Sequence, residues 1–180
     1  MKKVIYLMMA GLVTVLFSSC DNDECENLRG ECPEEQLAKD VQIIEEYLEE
    51  NNLTAQRDLS YDLFYIIKEE GNGAKPENGQ QVEVNYVGKF LDGKVFDTSI
   101  ESIAKEEEIY SESRTYQPFS FTLGKGQVIF GWDVGIKLLN EGTKATLILP
   151  SYMAYGPRGN SSIPPNTVLL FEVELLSVNN

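Results

Sequence analysis

Apolar side chains in the second half of the chain recur at every second position, which is typical of strands that bury one face. This period predicts strands near residues 63–67, 82–86, 95–96, 119–123, 145–149 and 169–175. Asp92 and Gly93 stand where a tight turn would join two of these strands into a hairpin. The pattern therefore predicts a sheet built mainly of antiparallel hairpins.

One segment near the beginning shows the period of an amphipathic helix instead. It runs from Pro33 to Glu50, and its apolar stripe consists of Leu37, Val41, Ile44 and Leu48. Such a stripe needs a surface to cover. That surface is either the domain of the same chain or a second copy in a homodimer, and the sequence leaves both arrangements open.

A second, shorter helix is predicted where Trp132, Ile136 and Leu139 share one face, with Gly142 ending it. Antiparallel hairpins with one helix packed across their concave side give an α+β fold. We therefore expect a strongly curved antiparallel sheet wrapped on one short α-helix, preceded by the N-terminal amphipathic helix.

The composition suits one globular domain with a tail, and it excludes several classes of partner and active site. The 180 residues are 42% hydrophobic, which is enough for a single core of ordinary size. The formal net charge of -14 argues against nucleic acid as a partner, because phosphate contacts need basic patches. Histidine is absent, which excludes a Ser-His-Asp triad, a histidine-activated cysteine and histidine-ligated zinc. We expect neither a metal site nor a cofactor.

The amino terminus has the features of a bacterial lipoprotein signal. Lys2 and Lys3 precede an apolar run over residues 4–17, which is short for a bilayer-spanning helix but suits a secretory signal. Residues 16–20 resemble a lipobox, whose cysteine, here Cys20, becomes the lipidated first residue. We expect export and lipid anchoring to a bacterial membrane, with the outer membrane favoured and its face left open. An uncleaved apolar anchor is the alternative.

The stretch after Cys20 predicts an acidic tether. Residues 21–24 resemble an export tag of some surface lipoproteins, although charged runs are also typical of solvated linkers. Cys25 and Cys32 are spaced to close a small disulfide loop in an oxidising compartment, with two unpaired thiols as the alternative. We divide the chain into a signal peptide (1–19), an acidic tether (20–32), a helix with its linker (33–57) and a folded domain (58–180).

Five motifs in the second half of the chain carry a resemblance to a known family. They are Pro118-Phe119-Ser120-Phe121, Val128-Ile129-Phe130-Gly131-Trp132, Ala154-Tyr155-Gly156, Ile163-Pro164-Pro165-Asn166 and Leu170-Phe171-Glu172-Val173-Glu174-Leu175. In this order they resemble the FKBP-type peptidyl-prolyl isomerases over residues 59–178. The resemblance implies an aromatic pocket that acts on proline-containing polypeptides and that macrolide inhibitors occupy.

The resemblance also implies a role for each matching residue. Trp132 is the floor under the prolyl ring, Phe96 is a wall that contacts it, Asp97 is the carboxylate at the edge, and the Tyr155 hydroxyl points into the site. The residues that bind the substrate are Tyr86, Phe119, Val128, Ile129, Ile163 and Phe171. Without the resemblance these residues have a purely structural interpretation, because aromatic residues at strand spacing are usually core.

The chain departs from small members of this family in two places. Residues 98–117 form an insert, in which Thr98 and Glu101 have the spacing of a capping box and predict a short helix. The arginine that small members carry near the aspartate has Arg114 as its candidate counterpart. The loop at residues 157–162 is shorter and carries Asn160 where a histidine is often found.

The predicted chemistry needs no nucleophile and no metal. An X-Pro bond rotates slowly because rotation destroys amide resonance, a barrier of about 18–20 kcal/mol. A dry aromatic pocket disfavours the planar, polar ground state relative to the twisted amide, which lowers this barrier. We predict a peptidyl-prolyl cis-trans isomerase that acts on X-Pro bonds of exported or unfolded polypeptides. A noncatalytic FKBP-like chaperone or binding module is the alternative, and a structural surface lipoprotein is a third interpretation.

Overall fold

The computed structural model describes residues 33–179. Helix α1 spans Pro33–Glu50, which are the bounds that its apolar stripe predicts. The later elements, in chain order, are β1 (Gln56–Asp58), β2 (Leu63–Glu69), β3 (Gln81–Lys89), β4 (Val95–Thr98), α2 (Glu101–Glu106), β5 (Phe119–Thr122), α3 (Phe130–Gly135), β6 (Lys144–Leu149) and β7 (Leu169–Asn179). The expected α+β architecture with an N-terminal helix is confirmed. The predicted signal peptide and Cys20, Cys25 and Cys32 lie outside the described residues.

The seven strands form one antiparallel sheet in the order β1-β2-β6-β7-β3-β4. Strand β5 lies off this path and pairs with the first half of β3, whereas β4 pairs with its second half. Strands β4 and β5 therefore share one edge of β3, and the insert connects them. None of the helices within residues 33–179 is long and apolar enough to cross a membrane.

An apolar cluster covers each face of the sheet. Consecutive residues of a strand point to opposite faces, so neighbours in the chain belong to different clusters. On the concave face, Leu63 and Leu147 join the main core beneath α3. Their chain neighbours Phe64 and Ile148 join a second cluster on the opposite face. Strands β2 and β6 are apolar on both sides for this reason.

Helix α1 covers the convex face of the sheet in its own chain. Ile44 is fully buried in the second cluster, against Phe64, Ile148 and Leu170. Val41 and Leu48 pack at the edge of the same cluster. Of the two arrangements that the sequence left open, docking on the domain of the same chain is the one that the structure contains.

Helix α3 lies very close to the sheet at two glycines, Gly131 and Gly135. A Cβ atom at Gly131 would stand 2.5 Å from Leu149 Cδ1, so this position admits no larger residue without movement.

The predicted end of the helix at Gly142 is wrong. A 3₁₀ turn, Ile136–Leu138, follows α3, and Leu139 is already extended with ψ 144°. Gly142 instead has φ 88° in the turn that leads into β6.

Candidate functional site

A cavity of about 340 Å³ opens on the concave side of the sheet, at the start of α3. Six of its ten lining residues are aromatic. The lining consists of Tyr86, Phe96, Asp97, Phe119, Gln127, Val128, Ile129, Trp132, Tyr155 and Phe171. Pockets that are mostly apolar with a few polar groups at the edge are typical of small-ligand sites.

Trp132 forms the floor of this cavity. Its side chain is 4% exposed, and its ring meets those of Tyr86 and Phe171 edge to face, with centroids 5.1 Å and 5.5 Å away. Such pairs hold the ring planes in fixed orientations. The indole N–H has no hydrogen-bond acceptor within residues 33–179, so the floor contains an unused buried donor.

A β-bulge explains why the neighbours Phe96 and Asp97 both border the cavity. The pairing of β3 with β4 runs from Gly88–Asp97 directly to Lys89–Val95, so Phe96 is an extra residue in β4. Bulges commonly redirect side chains beside binding sites. The Phe96 ring lies over Gly88, where a Cβ atom would stand 2.7 Å from its Cζ. Gly88 therefore makes room for this wall of the cavity.

Asp97 is held by donors from three parts of the chain. The Tyr86 hydroxyl donates to Asp97 Oδ2 over 2.7 Å, and the Thr98 N–H donates to Oδ1 over 2.9 Å. Arg114 forms an ion pair with Oδ1 and donates from Nη2 to the Tyr86 hydroxyl over 2.9 Å. The carboxylate is thereby fixed at the cavity edge, where about a third of its side chain stays exposed.

Two tyrosine hydroxyls beside the cavity keep their protons at neutral pH. Burial raises the pKa of Tyr86, and the hydrogen bond and charge of Asp97 raise it further. Burial and then the charge of Asp97 also raise the pKa of Tyr155. Both groups are therefore hydrogen-bond donors over the whole physiological pH range.

Residues 72–176 match the family profile of the FKBP-type peptidyl-prolyl cis-trans isomerases. The chain belongs to this family. FK506-binding protein 1 of Saccharomyces cerevisiae is 44% identical over 111 residues, which make up 61% of this chain and 86% of the yeast protein. The crystal structure of FkpA from Escherichia coli superimposes with a TM-score of 0.61 at 35% identity, covering 81% of this chain and 62% of that one.

Some relatives are much longer than this FKBP-type chain. FK506-binding protein 4 of Neurospora crassa is 40% identical over 108 residues, which make up 60% of this chain but 20% of that protein. The chain thus spans about a fifth of this relative and less than two thirds of FkpA. The shared part is the isomerase domain, which contains the aromatic cavity.

The FKBP-type cavity contains nine of the ten residues that the sequence assigned to catalysis and substrate binding. The exception is Ile163, which does not line it. Ile163 is 2% exposed and packs into the main core, in the same cluster as Trp132, so its assignment to substrate binding stays a prediction. Asn160 explains the local geometry, since its Oδ1 accepts the N–H groups of Ser162 and Ile163, both over 2.8 Å.

Gln127 also lines the cavity, although the sequence did not predict it there. Its Oε1 accepts the Thr122 N–H over 2.8 Å, which ties the end of β5 to the segment before α3. The only signal in the sequence was its position directly before Val128 and Ile129. No group of three metal-ligating side chains occurs in residues 33–179.

The insert supplies Arg114, which confirms it as the arginine beside Asp97. Its predicted helix is present as α2, but the predicted capping box is wrong. Ile100 precedes the helix and provides no side-chain cap. The Thr98 hydroxyl accepts the Ile100 N–H over 3.1 Å and donates to the Tyr86 carbonyl over 2.7 Å. These bonds attach the start of the insert to β3.

Proposed function

We propose that this FKBP-type chain catalyses cis-trans isomerisation of X-Pro bonds in polypeptides by stabilising the twisted amide without a covalent step. One observation carries the proposal. A single cavity joins an aromatic floor and walls with the Asp97 carboxylate and the Tyr155 hydroxyl at its edge. Its volume of about 340 Å³ suits one prolyl ring with its flanking carbonyls.

The proposed mechanism begins with the prolyl ring on the face of Trp132. The walls formed by Tyr86, Phe96 and Phe171 exclude water from the amide. When the C–N bond rotates, the nitrogen regains its lone pair and charge separation along the carbonyl decreases. A dry site therefore disfavours the planar amide more than the twisted one. No bond to the protein forms or breaks.

Polar groups at the edge orient the substrate in this scheme. The Tyr155 hydroxyl and the backbone N–H of Ile129 are the proposed donors to substrate carbonyls. Asp97, fixed by Arg114 and Tyr86, provides a negative charge beside the rotating carbonyl. Lowering the barrier by about 5–7 kcal/mol would accelerate rotation by about 10⁴ to 10⁵.

A protease-free isomerisation assay on a short X-Pro peptide tests the proposal. Tyr155→Phe and Asp97→Val should each lower kcat/KM about 5- to 30-fold, because each removes a group that is worth about 1–2 kcal/mol in the transition state. Their unfolding midpoints should stay near the wild-type value, since both side chains are more than a third exposed. Tyr110→Phe is the matched control, because this exposed tyrosine of the insert lies outside the cavity.

Two results would contradict the assignment. Unchanged turnover in both variants would remove Asp97 and Tyr155 from the mechanism. A wild-type protein that binds X-Pro peptides without turnover would instead support the noncatalytic binding module. Inhibition of the same assay by a macrolide such as FK506, after which the yeast relative is named, would show whether the cavity binds this class of ligand.

We also propose that the chain is an exported lipoprotein whose substrates are exported or unfolded polypeptides. The support comes from the sequence of residues 1–20, with its basic start, apolar run and Cys20. Several acyl chains would hold the protein on a membrane, since each buried methylene contributes about 0.8 kcal/mol. Fatty-acid labelling that Cys20→Ala abolishes is the expected result, and labelling that persists would contradict the site.

Three further points follow from the same proposal and need separate measurements. Protease treatment of intact cells distinguishes the surface face from the periplasmic face of the outer membrane. A thiol count on unreduced protein decides whether Cys25 and Cys32 pair. Light scattering of the purified chain tests the homodimer through α1, whose apolar stripe is already occupied by its own sheet.

A further inference from the structure

We propose that helix α1 is a positioning element for the catalytic site, and that Asp40 transmits its position to the segment that carries Tyr155. This inference rests on the proposed isomerase function. Asp40 lies in α1, outside the residues 72–176 that match the family, whereas Tyr155 lies inside them. The helix would thus help to position a site whose residues lie within the matched span.

The starting observation is a completely buried carboxylate. Asp40 is 0% exposed, and acidic residues are almost never fully buried unless they are paired with donors. Its Oδ2 accepts the backbone N–H of Ser151 over 2.7 Å and the Ser151 hydroxyl over 2.6 Å. Its Oδ1 accepts the side-chain amide of Gln36 over 2.7 Å. Three donors therefore converge on one side chain, and two of them come from the same distant residue.

Ser151 is the first residue of a 3₁₀ turn that leads directly to Tyr155. The turn spans Ser151–Met153, and its first N–H groups have no partners inside the turn. Asp40 satisfies the first of them from outside. The Ser151 carbonyl in turn accepts the Ala154 N–H over 3.0 Å. The hydrogen bonds thus run from α1 through Ser151 to the residue next to Tyr155.

The same short segment is fixed at two further points. Met153 is fully buried in the main core, and the Tyr152 hydroxyl donates to the Tyr61 carbonyl. Of these three attachments, the bonds of Ser151 are the ones that involve α1. They lie four residues before the tyrosine whose hydroxyl is proposed to contact substrate. A shift of this segment by about 1 Å is enough to impair a site of this kind.

Helix α1 is itself held in place on the sheet. Ile44, one turn after Asp40, is fully buried against the convex face of the sheet. The helix therefore contacts the domain through its apolar side chains and, separately, through the Asp40 carboxylate. The apolar contact fixes the helix on the sheet, and the carboxylate contact fixes the catalytic segment on the helix.

The test compares variants of the full chain that break one contact or the other. Asp40→Ala should lower kcat/KM for a short X-Pro peptide about tenfold, mainly through kcat. It should also speed hydrogen exchange at the Ala154 amide about tenfold or more. Asp40→Asn should recover most of both, because its amide oxygen still accepts the Ser151 N–H. Ile44→Ala and Glu46→Ala are the controls, one loosening the helix and the other removing an exposed carboxylate from it.

The two controls separate positioning from stability. Each variant is assayed 20 °C below its own unfolding midpoint. Ile44→Ala should then stay within threefold of the wild type in kcat/KM and in Ala154 exchange, even with a lower midpoint than Asp40→Ala. Ser151→Ala keeps the backbone hydrogen bond to Asp40 and loses only the hydroxyl bond, so it is the milder variant. It replaces Asp40→Ala in the test if Asp40→Ala does not fold. It should lower kcat/KM and protection of the Ala154 amide about threefold.

Wild-type kcat/KM and wild-type Ala154 exchange in Asp40→Ala, or in Ser151→Ala, would overturn the inference. An equal loss of activity in Ile44→Ala at matched stability would overturn it as well. If the wild-type protein shows no turnover, the proposed function fails instead. The hydrogen-exchange comparison still decides whether Asp40 holds the segment before Tyr155.

Discussion

Replacing Gly88 with alanine tests the geometry of the cavity wall directly. A Cβ atom at this position would lie 2.7 Å from Phe96 Cζ, 2.8 Å from Phe96 Cε2 and 3.0 Å from Phe171 Cε1. Carbon atoms in contact settle at about 3.5–4.0 Å. The Phe96 ring must therefore move by about 1 Å, and Phe171, whose ring centroid lies 5.7 Å from that of Phe96, limits the directions in which it can go.

This displacement predicts two separate magnitudes. Overpacking of this kind costs about 1–3 kcal/mol, and the lower chain entropy of alanine returns about 0.4–1 kcal/mol. The free energy of unfolding should therefore fall by about 1–2 kcal/mol. A 1 Å displacement of a group that contacts the substrate costs up to about 10² in rate, so kcat/KM should fall about 10- to 100-fold.

Urea unfolding and the peptide isomerisation assay measure these two quantities. The double variant Gly88→Ala, Phe96→Leu is informative because the smaller side chain removes the clash. Its free energy of unfolding should exceed the sum expected from the two single variants by at least about 0.5 kcal/mol. A Gly88→Ala protein with wild-type stability and wild-type turnover would refute the placement of the Phe96 ring over Gly88.

Three other predictions concern the surroundings of the cavity. Arg114→Leu should lower kcat/KM about three- to tenfold in the peptide assay, but should cost less than about 1 kcal/mol in urea unfolding, because its ion pair with Asp97 is partly exposed. A loss above about 2 kcal/mol would contradict this. Ile163→Ala should cost about 2–4 kcal/mol while KM stays within threefold, since Ile163 belongs to the core; a large rise in KM would return it to the site. The raised pKa of Tyr86 means that the folded state keeps a proton that the unfolded state loses above about pH 10, so stability should be flat to about pH 9 and fall above pH 10. Tyr86→Phe should reduce that alkaline slope, and an unchanged slope in thermal melts would count against the shift.

Local patterns in the sequence were sufficient for most of the fold. The bounds of α1 followed from its apolar stripe, and the alternation around Val82 and Phe119 located the strands that cross the site. The end of α3 was predicted less well, because Gly142 is a good terminator that lies beyond the point where the chain already becomes extended at Leu139. A glycine in a tight turn and a glycine at a helix end look alike in the sequence.

The parts of the site that the sequence did not determine depend on long-range geometry. Alternation alone would place Phe96 and Asp97 on opposite faces, and only the bulge opposite Gly88 brings both to the cavity. Arg114 reaches Asp97 after a 17-residue excursion through the insert, which no local period encodes. In the sequence, Asp40 looks like an ordinary polar position of a helix, because its contact with Ser151 is visible only in the structure.

The buried position of Ile163 has a similar explanation. Its motif matches the family, and in the sequence it stands next to two prolines in a loop. Whether the side chain turns to the cavity or to the core depends on the turn that Asn160 forms with the Ile163 N–H.

Exchange NMR of a short X-Pro peptide with increasing amounts of the protein tests the central claim most directly, with emission from the single tryptophan, Trp132, recorded on the same samples. The account predicts a cis-trans exchange rate that rises in proportion to protein concentration, a change in Trp132 emission on peptide binding, and no covalent adduct by mass spectrometry. An exchange rate equal to that of the free peptide, or catalysis with Trp132 emission unchanged at saturating peptide, would contradict it.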